Sequence, residues 1–188
     1  MPAALYALSL GNFVIGAGAF MVAAIVAPIA SGLSVSLSEA GRLLAIYAVA
    51  YAVASPLLIG LIRGGQQRVW LVCAMAAFAA GALICVWAQT FLLVDGGRVV
   101  MAFGAAVYTP LAAATGAQLT APEKRGVALA TVFLGLSLAQ VFAVPAAGPL
   151  ADAFDWRAPF LGVALIAGVA ATAIWFMTPP SARVQSVR

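Results

Sequence analysis

Apolar residues fall into six long runs separated by short polar breaks. The runs are about Leu10–Leu33, Glu39–Ile62, Val69–Gln89, Val94–Gln118, Gly126–Leu150 and Ala158–Thr178. Each reaches the roughly 20 residues that an α-helix needs to cross the hydrocarbon core of a bilayer. The breaks are Ser34–Ser38, Arg63–Arg68, Thr90–Leu93, Leu119–Arg125 and Ala151–Arg157, none long enough for a soluble domain. The pattern predicts an all-α membrane protein, with residues 1–188 forming a single domain of six transmembrane helices.

Composition sharpens this. Hydrophobic residues make up 65% of the chain and charged residues 7%, against about 25% charged in a soluble domain. The net charge of +4 forms no basic patch for nucleic acid, so it is read as a topology signal. With the N-terminus in the cytoplasm, Arg63, Arg68, Lys124, Arg125, Arg183 and Arg188 fall on the inner side and only Arg42 and Arg157 on the outer. That bias predicts a multi-pass protein of the inner (plasma) membrane with both termini cytoplasmic. No Lys or Arg precedes the first apolar run, so the first span is expected to be retained rather than cleaved as a signal peptide. Cys73 and Cys85 are 12 residues apart in one run, about 18 Å along a helix, which is too far to pair.

A faint repeat runs through the chain. Pro56 lies twelve residues before Arg68, and Pro145 twelve before Arg157; Gly18 and Gly104 are 86 residues apart, Gly41 and Gly126 are 85. A unit of three helices repeated after an odd number of crossings must be inverted in the membrane, so the expected architecture is a 3+3 inverted repeat, as transporters use.

Charge inside a span marks function by default. Arg98 lies within the fourth run, one turn past Asp95, so the two share a helix face. Two readings stand: a functional pair, or an interfacial ion pair with Arg98 reaching outward. Tyr47 and Tyr51, four residues apart, either line a polar cavity or pack against each other. Asn12, Tyr108, Thr109 and Gln140 are the other polar groups within spans, and Pro28, Pro56, Pro110 and Pro145 would kink or open their helices. The chain has no His, which excludes a Ser–His intramembrane protease, haem ligation and His-based metal sites. No Gly-rich loop precedes a Lys in the manner of a nucleotide hydrolase. No cofactor, metal site or enzymatic activity is expected.

The order of motifs resembles the drug:proton antiporter and sugar-efflux branch of the major facilitator superfamily. Arg98-Val-Val-Met-Ala-Phe-Gly104 is similar to that family's fourth-helix motif, whose Arg is implicated in proton coupling. Pro122-Glu123-Lys124-Arg125-Gly126 resembles its Pro-Glu-Arg-Arg-Gly turn. Gly135 to Pro149 resembles its fifth-helix antiporter motif, and Asp155-Trp156-Arg157 the usual entry to the sixth helix. Glu39-Ala40-Gly41, Tyr47 and Ser55-Pro56-Leu57-Leu58 resemble the second helix. The loop from Gly60 to Arg68 keeps Gly60, Arg63 and Arg68 but lacks the family's Asp, and Gly16–Ala19 lacks the acid found in many first helices. Glu39 and Asp95 remain as proton carriers, both near the outer interface.

The resemblance implies the amino-terminal six-helix half of a secondary transporter, of efflux type and acting on small organic solutes. Such halves surround a midplane site in pairs related by an axis along the membrane normal. The chain is therefore expected to work by alternating access as a homodimer, or with a missing second half. The alternative is a non-transporting half-transporter fragment or an accessory membrane-binding module. The partners implied are membrane lipid, a small-molecule substrate and either a second copy of the chain or a missing second half, with no nucleic acid. Arg98 is expected at the electrostatic centre with Asp95 as its partner, and Asn12, Tyr47, Tyr51, Thr109 and Gln140 as cavity liners. Gly60, Arg63 and Arg68 would form a gating loop, and Gly135, Pro145 and Gly148 the fifth-helix interface with the other half. The first, second, fourth and fifth helices should face the cavity or partner, the third and sixth lipid.

Overall fold

The computed structural model describes residues 2–60 and 66–180, and every regular element among them is a helix. The first crossing is made by α1 (Ala3–Phe20) and α2 (Val22–Leu33), the second by α3 (Leu37–Ile59), the third by α4 (Gln67–Trp87) and the fourth by α5 (Phe91–Gln118). A 3-10 turn (Pro122–Lys124), α6 (Arg125–Leu138), a π-helical segment (Ala139–Ala143) and α7 (Val144–Ala153) make the fifth, and α8 (Ala158–Met177) the sixth. Six helical spans are thus long and apolar enough to cross a bilayer.

Two of the crossings expected to kink or open at a proline, the first and the fifth, are interrupted. The first begins at Ala3, ahead of its apolar run, and breaks at Met21. The fifth widens into the π segment just before Pro145, which sits in the first turn of α7. A proline there is tolerated because its missing N–H is not needed in a first turn, while the carbonyls before it must find other donors. Between α2 and α3 the turn is closed by local chemistry. Ser34 takes a left-handed conformation (φ 55°), and Ser36 and Glu39 form a reciprocal capping box, with Ser36 Oγ accepting from the Glu39 N–H at 3.1 Å.

Lipid tails are as apolar as leucine, so helices in a bilayer associate by close packing and polar ties rather than by escaping water. Small residues let them approach. A Cβ on Gly81 of α4 would stand 2.6 Å from the Gly97 carbonyl oxygen of α5, and one on Gly97 would stand 2.7 Å from the Gly81 oxygen. Only glycine fits at either place. Elsewhere α1 is the most buried span and α3 the least, with α1 packed on α5, α6 and α8, and α4 on α5 and α8.

The α4–α8 pair carries the mark of the inverted repeat. Arg68, at the start of α4, donates to the Trp175 carbonyl near the end of α8 at 3.3 Å and stacks 4.3 Å from the Trp175 ring centre. Arg157, at the start of α8, donates to the Ala88 carbonyl at the end of α4 at 2.7 Å and stacks 4.2 Å from the ring of Trp156. Each helix begins with an arginine that closes the other helix's C-terminal end, where unpaired carbonyls and the helix dipole favour a cation. These are the two arginines that follow Pro56 and Pro145 by twelve residues.

Candidate functional site

α1, α3, α5, α6 and the π segment enclose a cleft of about 490 Å³, and neither α4 nor α8 contributes to its lining. The polar side chains among its lining residues are Tyr47, Tyr51, Thr109 and Gln140; the rest of the wall is apolar, including Ile15, Phe20 and Leu136. No charged side chain lines it. Tyr47 and Tyr51, one turn apart on α3, stack with ring centres 6.5 Å apart and planes 21° from parallel. The Tyr47 hydroxyl is buried without a hydrogen-bond partner. Thr109 donates to Asn12 Oδ1 at 3.2 Å, and Asn12 Nδ2 donates to the Val132 carbonyl at 2.9 Å. Asn12, fully buried, therefore holds Thr109 from behind and ties α1 to both α5 and α6.

Arg98 lies behind this wall. It is fully buried and donates through its two terminal nitrogens to the Gly18 carbonyl at 2.5 Å and the Ala19 carbonyl at 3.2 Å. Its guanidinium carbon sits 4.3 Å from the centre of the Tyr47 ring. Gly18 and Ala19 are in the last turn of α1, immediately before the break at Met21. A broken helix leaves carbonyls without intrahelical donors, and the negative end of its dipole points at the gap. Arg98 supplies both the donors and the opposing charge, so the helix end stands in for a carboxylate.

This corrects the expected pairing of Arg98 with Asp95. Asp95 instead accepts from Arg42 of α3 at 3.1 Å, and Arg42 also lies 5.3 Å from the Phe91 ring centre. Although i and i+3 share a helix face, Arg98 is long enough to reach sideways to α1, while Arg42 approaches Asp95 from the neighbouring helix. Nor does Arg98 reach outward, the other reading of the pair. Glu39, the second candidate proton carrier, is held by its own turn, with Oε2 accepting from the Ser36 N–H at 2.9 Å and the Ser36 hydroxyl at 2.8 Å.

The expected fifth-helix interface divides in two. Gly135 is buried against α1, where a Cβ would collide with the Ser9 carbonyl oxygen, so it serves contact within this bundle and not with another half. Gly148 turns towards α2, 3.8 Å from the Ala24 oxygen at the position a Cβ would take. Pro145 is exposed. Of the expected gating loop, Arg63 lies outside the described residues, Gly60 is the exposed C-terminal cap of α3, and Arg68 is engaged with α8. The break at Met21 and the π segment lie ahead of the prolines expected to open their helices. Of the two residues that they bring to the cleft, Gln140 was an expected liner and Ala19 was not. The prolines after each, Pro28 and Pro145, were the available signal.

The sequence profile described as Major Facilitator Superfamily matches residues 8–187. The chain belongs to this superfamily. Among its relatives, the inner membrane transport protein YdhP of Escherichia coli (strain K12) is 31% identical over 93% of this chain and 45% of its own length. The chloramphenicol resistance protein of Streptomyces lividans is 34% identical over 88% of this chain and 42% of its own length. The chain thus spans less than half the length of these superfamily members. A crystal structure of the peptide transporter POT in complex with sulfate superposes with a TM-score of 0.82 at 15% identity, over 98% of this chain and 39% of that one. The fold is a six-helix half of a major facilitator protein, and the chain is a multi-pass membrane protein.

Proposed function

We propose that the chain is one half of an efflux-type secondary transporter for small organic solutes. The cleft forms one wall of the solute pathway, and a second copy inserted the same way supplies the other. The pair works by alternating access, in the inner membrane, with both termini of each copy in the cytoplasm. The observation that carries this reading is the cleft itself: a partly polar, uncharged recess lined by the first, second, fourth and fifth crossings and by neither α4 nor α8. A midplane site shared between two similarly oriented halves needs such a face on each half. The relative named for chloramphenicol resistance supports the efflux direction and an uncharged organic cargo. The six-to-two split of basic residues supports the orientation, and the shared orientation is compatible with a twofold axis along the membrane normal.

The test is reconstitution of the chain alone into liposomes, with chloramphenicol as the probe and single-molecule photobleaching run on the same vesicles. Saturable flux from vesicles that bleach in two steps is the expected result. Substituting Gln140→Trp, which fills the cleft, should abolish it. Monomers at every protein-to-lipid ratio, with no flux, would overturn the homodimer and leave a half that does not transport by itself.

A further inference from the structure

Tyr47 separates the Arg98 guanidinium from the cleft. Its ring forms part of the cleft wall, and the guanidinium lies 4.3 Å from that ring, fully buried and absent from the lining. We propose that Tyr47 sets the charge selectivity of the cleft. By covering Arg98 it makes the recess a site for uncharged aromatic or amphipathic solutes. Removing it turns the same recess into a site for organic carboxylates. The inference rests on the reading of the cleft as a solute site and adds to it a substrate class and the residue responsible.

Three solute classes meet different physics at this wall. A cation finds no carboxylate in the lining, and one aromatic ring away it meets a positive charge that makes no ion pair among the described residues. A carboxylate is attracted by that same charge, but only through the ring and without a hydrogen bond. Weak attraction at a distance does not offset taking an anion out of water into an apolar recess. An uncharged ring incurs neither cost. It gains a second aromatic surface in the stacked Tyr51, and Thr109 and Gln140 can orient a single hydroxyl or carbonyl. Without the Tyr47 ring the guanidinium faces the cleft directly, and its N–H groups can then bind a carboxylate in a charge-assisted contact.

A matched pair of fluorescent probes tests this: 2-naphthalenemethanol, uncharged, and 2-naphthoate, a carboxylate of similar shape. Binding is read by equilibrium dialysis with the chain in phosphatidylcholine nanodiscs, empty nanodiscs being subtracted. The wild type is expected to bind the alcohol at least about tenfold more tightly than naphthoate, a difference of about 1.4 kcal/mol. Tyr47→Ala should raise naphthoate affinity about tenfold, and adding Arg98→Gln should remove that gain. Tyr47→Phe, which keeps the ring, should keep the wild-type preference. If Tyr47→Ala does not fold, the wild-type preference and its retention in Tyr47→Phe decide the question. The proposal is overturned by a wild type that binds naphthoate as well as the alcohol or binds neither. It also falls if a folded Tyr47→Ala gains nothing, or if its gain survives Arg98→Gln. Dialysis needs neither flux nor a dimer, so selective binding without transport would sink the transport reading and leave this one standing.

Discussion

The α1–α6 and α4–α8 pairs are joined in opposite ways. Where α6 meets α1, backbone touches backbone in mid-bundle, with Gly135 pressed against the Ser9 carbonyl. Both of these crossings are interrupted, one at Met21 and one at the π segment. α4 and α8 are unbroken, and the polar ties between them lie at their two ends, made by Arg68 and Arg157. In a bilayer every polar backbone group must be satisfied internally. Irregular backbone therefore survives only where another group supplies the lost bonds, and here it borders the cleft. Arg98 does so for the break in the first crossing. The regular pair needs its arginines only at its ends, where every helix runs out of partners.

The sharpest way to break this contrast is to add a methyl group to each region. Gly135→Ala drives a Cβ into the backbone of α1, where neither partner can yield as a side chain would. A loss of about 3 kcal/mol is expected, with much of the protein failing to fold. Gly162→Ala, on α8 with nothing within 4 Å of its would-be Cβ, should instead gain up to about 1 kcal/mol from helix propensity. Thermal unfolding in one detergent, followed by circular dichroism, reads both. Equal tolerance at the two sites would mean that the α1–α6 approach is not tight.

A smaller effect is expected at the buried arginine. Arg98→Lys keeps the charge but replaces a planar fork by a single ammonium. Such a group cannot serve the Gly18 and Ala19 carbonyls and the Tyr47 ring with the same geometry. The expected loss is about 2 kcal/mol. Hydrogen exchange should rise locally at the end of α1, which distinguishes a released helix end from a general loss of packing.

Asp95 gives the next step down. Arg42 is half exposed, so Asp95→Asn is expected to cost no more than about 1 kcal/mol. It should also leave the cost of Arg98→Lys unchanged, because the two residues share no partner. A cost for Arg98→Lys that differs in the Asp95→Asn background by more than about 0.5 kcal/mol would restore the pairing read from their spacing.

That pairing shows what the sequence could and could not reveal. Run length and charge count carried the six spans, since crossing a bilayer is a one-dimensional requirement. The aromatic and polar liners Tyr47, Tyr51, Thr109 and Gln140 were visible because few polar residues occur at that depth, and Asn12 was visible for the same reason although it acts from behind Thr109. The partner of Arg98 was not. Its acceptors are backbone carbonyls of another helix, and a carbonyl carries no letter in the sequence. Gly135 misled for a related cause: a small residue marks a close approach but not the element that approaches. The paired arginines of α4 and α8 were legible only as equal spacings from two prolines, and their exchange of helix ends needed the fold.

The smallest expected signal is also the most exacting test of the exchanged ends. Arg68→Gln and Arg157→Gln each remove one hydrogen bond to a carbonyl and one ring contact near a bundle end, and Arg157→Gln also removes an exposed ion pair with Asp155, at an expected cost of about 1 kcal/mol apiece. The two sites sit at opposite ends of α4, a helix of 21 residues and so about 30 Å long. Groups that far apart with no shared partner should add within about 0.5 kcal/mol. A double-mutant cycle on thermal stability measures this directly. A coupling near zero is expected if each clamp closes only its own helix end. A coupling well above that limit would mean that α4 and α8 slide as one rigid rod when either end is released, and the two clamps would then be a single device.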